Sequence, residues 1–122
     1  TEVRNTKARK ALPDTVPQSD AALNSARAAV LGRAITDRPD LLMVATEDFL
    51  HQQYRRPVMP RTLALVDELR VAGVPAVVSG AGPTVLALTD RATAADLAAQ
   101  SRRGWRIEAV EADREGVQIL PL

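Results

Sequence analysis

The 122-residue sequence contains no cysteine. Disulfide frameworks, thiolate metal sites and cysteine nucleophiles are therefore excluded. Aromatic residues are almost as scarce, with Phe49, Tyr54 and Trp105 alone. So few rings exclude a stacking platform for nucleic-acid bases. They also leave Ala, Val and Leu to build the core. Neither sign of charge dominates: sixteen Lys and Arg face fifteen Asp and Glu, for a formal net charge of +1. A general nucleic-acid binder needs a basic surplus to displace counterions, and this chain lacks one. An acidic disordered tail is excluded for the converse reason. No apolar run approaches the length of a membrane span, and no signal-peptide pattern opens the sequence as given. A cytoplasmic protein is the resulting expectation.

What remains is ordinary globular usage, 46% hydrophobic and 25% charged. The length suits one domain. Residue 1 is Thr, not Met, so the chain is expected to be a piece of something longer.

Thr1–Arg4 reads as the end of a strand, and the basic segment 6–10 is closed by Leu12-Pro13. Ser19-Asp20 reads as a helix start, with Ser19 the cap and Asp20 favourable in the first turn. Leu23, Ala26, Val30 and Ala34 recur at helical spacing and predict a helix to about Ile35. Asp40 is expected to cap a second helix running to His51 or Gln52. A loop from Tyr54 to Pro60 follows, then a third helix from about Arg61 to Ala72, with Leu65, Val66 and Leu69 inward and Gly73 as its stop. Pro75–Ser79 and Thr84–Thr89 read as two strands joined by a glycine turn. Thr93 is expected to cap a further helix, with Asp96 in a capping-box position and Gly104 as its end. Trp105–Val110 and Val117–Leu120 read as the last strands. This order suits an α+β domain, a mostly antiparallel sheet covered by helices on one face.

Three constellations bear on chemistry. In the segment Ser79-Gly80-Ala81-Gly82-Pro83-Thr84, glycines permit a sharp turn and close approach. Its backbone N–H groups can point at an anion. It is neither a nucleotide P-loop, since no Lys-Ser or Lys-Thr follows, nor a dinucleotide fingerprint. Glycine alone favours a plain strand-connecting turn. Second, Arg9 and Arg55 fall at predicted loop positions, where a planar guanidinium suits bidentate recognition of a small acid. Taken singly, each is a solvated charge in a chain with fourteen Arg and two Lys. Third, His51 lacks a partner in sequence and reads as a helix-end residue. Glu47 and Asp48 read as solvent-facing. Ser79 has no nearby His to activate it. No metal-ligand spacing appears, so no metal site is expected.

The run SGAGPTVLAL, Ser79 to Leu88, resembles the third motif of the GHMP small-molecule kinases. TKARKALP, from Thr6 to Pro13, and HQQYR, from His51 to Arg55, narrow the resemblance to the homoserine-kinase branch of that family. The three motifs stand in the family's order and cover essentially the whole chain as a C-terminal half. The resemblance implies a ferredoxin-like C-terminal domain. It implies ATP-dependent phosphorylation of L-homoserine to O-phospho-L-homoserine, in threonine biosynthesis. ATP and Mg2+ would be bound mainly by an N-terminal half, whose G-L-G-S-S-A phosphate loop this sequence lacks. No catalytic residue is then expected in this chain, and the fragment alone is expected to be inactive. Arg9 and Arg55 match the arginines that hold the substrate carboxylate. Asn24 matches a position near the substrate pocket. Ser79, Gly80, Ala81 and Gly82 match the glycine loop beside the phosphates. Gln53 departs from the Pro usual in relatives, which loosens the expected hold on Arg55. The expected partners are the small-molecule substrate and the N-terminal half. The resemblance also makes a homodimer one expectation, though no apolar stripe demands it. Neither nucleic acid nor membrane is expected. Another GHMP kinase, or a non-catalytic amino-acid-binding regulatory module, stands as the alternative.

Overall fold

The computed structural model describes residues 5–117. The strand end expected at Thr1–Arg4, and all but the first residue of the strand expected at Val117–Leu120, lie outside them. The chain divides into two compact units, Thr1–Leu88 and Thr89–Leu122.

In the first unit, the basic segment expected as a loop is a one-and-a-half-turn helix, α1 (Asn5–Lys10). Helix α2 (Gln18–Thr36) follows after the proline-bracketed loop. Pro17, not Ser19, stands at its N-cap and no side chain caps it; the Ser19 hydroxyl donates to Asp20 instead. Of the apolar stripe expected on α2, Val30 and Ala34 are covered, while Leu23 and Ala26 are exposed. Leu23 is 40% exposed, while Ala21, Asn24, Arg27 and Leu31 join Val30 and Ala34 on the covered face. That face carries two polar side chains, which periodicity of apolar residues cannot see.

The expected second helix is broken into pieces. A 3₁₀ turn at Pro39–Leu41 leads into a single turn of helix, α3 (Leu42–Ala45). Asp40 is no cap: it lies inside the 3₁₀ turn, where its carboxylate accepts from Arg38 Nε at 2.9 Å and Nη2 at 2.7 Å. The Thr46 hydroxyl turns back onto the Leu42 carbonyl at 2.7 Å, closing α3. Arg70 then takes up acceptors at this helix end. Its guanidinium donates to the Met43 carbonyl at 2.6 Å, to Thr46 Oγ1 at 2.8 Å and to the Ala76 carbonyl at 3.3 Å.

Helix α4 (Pro60–Val71) starts with proline, whose missing N–H costs nothing there. It buries Thr62, Leu63, Val66 and Leu69 along one stripe. Leu65, expected inward, is half-buried at the edge of that stripe. Leu63 is the fully enclosed large side chain of the core, worth roughly 1.5–3 kcal/mol by removal from water. Gly73, at φ +82°, ends the turn after α4 as expected.

Strands β1 (Ala76–Val78) and β2 (Val85–Ala87) pair antiparallel, Ala76 with Ala87, Val77 with Leu86 and Val78 with Val85. Backbone bonds from Leu88 to Pro75 at 2.9 Å and from Ser79 to Thr84 at 2.8 Å extend the ladder at each end. Helix α4 packs on both strands, and α2 packs on α3 and the 3₁₀ turn. Ala76 and Val78 point into the core, while Val77 and Leu86 share the outer face. The unit is thus α+β, with an antiparallel sheet of two strands among the described residues set against helix α4.

The second unit holds helix α5 (Arg91–Ala98). Its cap is Asp90, which accepts from the Thr93 N–H at 2.8 Å; Thr93, expected as the cap, is the capped residue. The helix ends at Ala98, well before Gly104, which instead sits at φ +81°. Trp105–Val110 is not a strand. Its side chains do alternate in burial through Trp105, Arg106, Ile107 and Glu108, but the described residues offer it no paired neighbour. Arg106 and Glu108, two apart on the exposed side, pair with each other.

Candidate active site

The segment from Glu47 to Met59 carries the sequence's best charged candidate, and both side chain-to-backbone bonds and short backbone turns hold it. Asp48 begins it. Its carboxylate accepts the N–H groups of Leu50 at 2.8 Å, His51 at 3.0 Å and Gln52 at 3.1 Å. Such a cap starts a new turn and explains why no helix continues here. Asp48 is therefore a structural acceptor, not a solvent-facing charge. Glu47 likewise has a partner, Arg27 of α2, at 2.7 Å. His51 is exposed, with Nδ1 3.3 Å from Asp48 Oδ1, and stands in the capped turn, not at a helix end.

The turn continues into a 3₁₀ element, Gln53–Arg55. Gln53 is exposed, and its Oε1 accepts both Nε and Nη2 of Arg56, at 3.1 and 2.7 Å. Arg56 in turn pairs with Asp67 of α4 at 2.8 Å. A hydrogen-bonded chain Gln53–Arg56–Asp67 thus fastens the turn to α4, and Gln53 does not loosen it as expected.

The glycine loop lies between β1 and β2. Gly80 and Gly82 have φ of +58° and +79°, values that favour glycine. Gly82 also makes a close approach. A Cβ there would lie 2.8 Å from Met59 Sδ, and Met59 is buried. The Thr62 hydroxyl of α4 donates to the Pro83 carbonyl at 3.2 Å, and the Gly82–Pro83 peptide is cis. Within the loop, the Gly82 N–H bonds to the Ser79 carbonyl at 3.0 Å. The N–H groups of Gly80 and Ala81 take no part in the loop's internal backbone bonds.

Arg55 joins these two parts. Its Nη1 donates to the Gly80 carbonyl at 2.9 Å. Its Nε is buried and has no acceptor among the described residues. One edge of the guanidinium is therefore spent on the loop, while the Nε edge meets no acceptor among the described residues. A buried N–H without a partner costs about 1–3 kcal/mol, so such a group points to a missing acceptor.

Asn24, on the covered face of α2, accepts the Phe49 N–H at 3.0 Å and so steadies the same segment from the other side. Arg9 is in the last turn of α1, next to buried Ala8, and is itself exposed. No hydrogen bond or ion pair joins its side chain to other described residues. The fold thus ties together Arg55, the glycine loop and, through Phe49, Asn24; it makes no such tie to Arg9. Ser79 is exposed at the start of the loop. Gln52 and Arg70 were not legible as site-forming residues, because the groups they bind lie in distant parts of the chain. The Asp48 cap was more accessible, since an Asp before an apolar pair is an N-terminal turn signal.

The GHMP kinases C terminal family matches residues 19–106. The chain belongs to this family. Within the GHMP C-terminal domain, the match spans α2 through α5, including the Arg55 turn and the glycine loop. The chain is 54% identical over 115 residues to the homoserine kinase of Streptomyces avermitilis, covering 94% of this chain and 38% of that protein. It is 52% identical to the homoserine kinase of Streptomyces coelicolor, over 94% of this chain and 37% of the relative. To the homoserine kinase of Rhodococcus opacus it is 50% identical, over 91% and 32% respectively. The chain thus spans less than two fifths of the length of these curated relatives. No helix among the described residues is long and apolar enough to cross a membrane.

Proposed function

We propose that the chain is the C-terminal, substrate-positioning part of an ATP-dependent homoserine kinase, which converts L-homoserine to O-phospho-L-homoserine. The observation that carries this reading is the buried, unpartnered Nε of Arg55 beside a glycine loop. Nε and Nη2 together form a fork that takes a carboxylate in bidentate fashion. Homoserine offers a carboxylate at one end and the reacting hydroxyl at the other. Holding the first aims the second. Phosphoryl transfer draws most of its acceleration from such positioning and from charge stabilisation, so this half needs no covalent catalyst. The resemblance gives Arg9 as a second positive charge for the same carboxylate, and Asn24 braces the Arg55 segment. The free N–H groups of Gly80 and Ala81 suit the edge of an anionic phosphate.

ATP supplies the phosphoryl group, and on this reading an N-terminal half outside the chain binds it. Among the described residues no three His, Asp or Glu side chains converge. The role assigned to this half is confined to the organic substrate and the loop.

The test is Arg55→Ala in the natural full-length protein, with steady-state kinetics against homoserine. Loss of a charge-assisted pair worth about 1.5–3 kcal/mol raises the homoserine KM roughly 10- to 150-fold. A KM and kcat both unchanged would rule the carboxylate site out.

A further inference from the structure

Gln52 is buried, at 8% exposure, among residues the mechanism does not otherwise use. Its Oε1 accepts the N–H of Val78, the last residue of β1, at 2.6 Å. Three residues further along the same turn, Arg55 donates to Gly80, two residues beyond Val78. Two short stretches of chain, 52–55 and 78–80, are therefore closed into a ring by two hydrogen bonds. One bond is buried and lies behind the turn. The other is at the site. With one bond alone, the turn can pivot about it; with both, the position of the Arg55 guanidinium against the glycine loop is fixed.

We infer that Gln52 is a positioning residue for substrate recognition: by holding the Arg55 turn to the end of β1, it sets where the guanidinium presents its free edge. Gln52 touches neither substrate nor nucleotide and acts through Arg55. Asp48 supports it by capping the Gln52 N–H from the start of the turn. The inference rests on the reading of Arg55 as the carboxylate-binding group. Misplacing such a group by about 1 Å costs on the order of 100-fold, so a modest pivot is enough to be measured.

The experiment uses the natural full-length protein, with homoserine KM, ATP KM and kcat measured for each variant. Gln52→Leu removes the acceptor and keeps the bulk. It raises the homoserine KM by about tenfold or more and leaves the ATP KM unchanged. In an Arg55→Ala background, Gln52→Leu adds no further rise, since the group it positions is gone. Should Gln52→Leu not fold, Gln52→Asn, whose acceptor is one methylene too short, is read the same way. An unchanged homoserine KM in Gln52→Leu, alongside a raised one in Arg55→Ala, overturns the role of Gln52 and leaves the carboxylate site standing. So does a full additional rise in the Arg55→Ala background. An unchanged KM in Arg55→Ala itself overturns the carboxylate site, and the role of Gln52 with it.

Discussion

Arg55 Nη1 meets the carbonyl of Gly80 at 2.9 Å across twenty-five positions of sequence. This bond brings a charged side chain from a capped turn directly onto a hairpin loop. Around it, each partner is held by a different device: Arg55 by the Asp48 and Gln52 bonds, Gly80 by the ladder and by packing of the loop on Met59.

The packing of the loop gives a sharp contrast between its two glycines. A Cβ on Gly82 meets Met59 Sδ at 2.8 Å and Met59 Cε and Val78 Cγ1 at 3.1 Å. A Cβ on Gly80 meets nothing within 4 Å. Both positions carry the left-handed backbone cost, but only Gly82 adds overpacking. Because the end of the flexible Met59 side chain can shift, the added cost is modest, and Gly82→Ala is expected to lose about 1 kcal/mol more than Gly80→Ala in denaturant unfolding. Equal losses at the two positions contradict this account of the loop.

Arg70 gathers the end of α3 and the start of β1 onto α4 with one planar group. A lysine ammonium cannot reach the same three acceptors in the same plane. Arg70→Lys is therefore expected to be nearly as damaging as Arg70→Leu, each costing about 1.5–3 kcal/mol by chemical denaturation. A lysine variant as stable as the parent shows that charge alone, not the fork, is what α3 and β1 need.

The Asp90 carboxyl is held below the usual carboxylate range, first by the Thr93 N–H it accepts and then by the Thr93 hydroxyl. A carboxyl with a depressed folded-state pKa stabilises above its unfolded pKa, and the contribution is lost as pH falls through the folded value. The backbone NMR shifts of residues 91–98 should thus hold steady near neutrality and move toward coil values only below about pH 4. Asp90→Asn removes the titrating group and with it this acid transition. Persistence of the same transition in Asp90→Asn assigns it elsewhere.

On the proposed function, the chain by itself is expected to transfer no phosphoryl group from ATP to homoserine, and the natural full-length protein is expected to do so. Half a site has lost most of its preorganisation. A coupled assay for ADP release with purified chain tests this directly, and homoserine-dependent turnover above background refutes it.

The elements that could be read from sequence were those with local signatures. Apolar spacing and the flanking Pro60 and Gly73 mark α4, and β-branched runs around a glycine turn mark the β1–β2 hairpin. The covered face of α2 was not readable, because Asn24 and Arg27 occupy it and polar residues count against burial in any periodicity. The break after α3 was hidden for a related reason: Asp48 supplies a local cap, but Arg70 satisfies the helix end from twenty-seven positions away. Trp105–Val110 has the alternation of a strand without a paired strand beside it. At the site, Arg55 and the glycine loop were legible as motifs. Gln52 was not, since a glutamine acquires its meaning only when β1 is folded against it.

The polar face of α2 has a consequence for alignment. Asn24 meets the backbone of Phe49 and Arg27 meets Glu47, one helical turn apart. An apolar stripe tolerates a sliding neighbour, because one methyl contact replaces another. These two bonds do not: a slip of one residue carries both side chains about 100° around the axis and breaks both together. Asn24 and Arg27 thus act as a pair of dowels, so that α2 has a single seat against the segment that leads to Arg55.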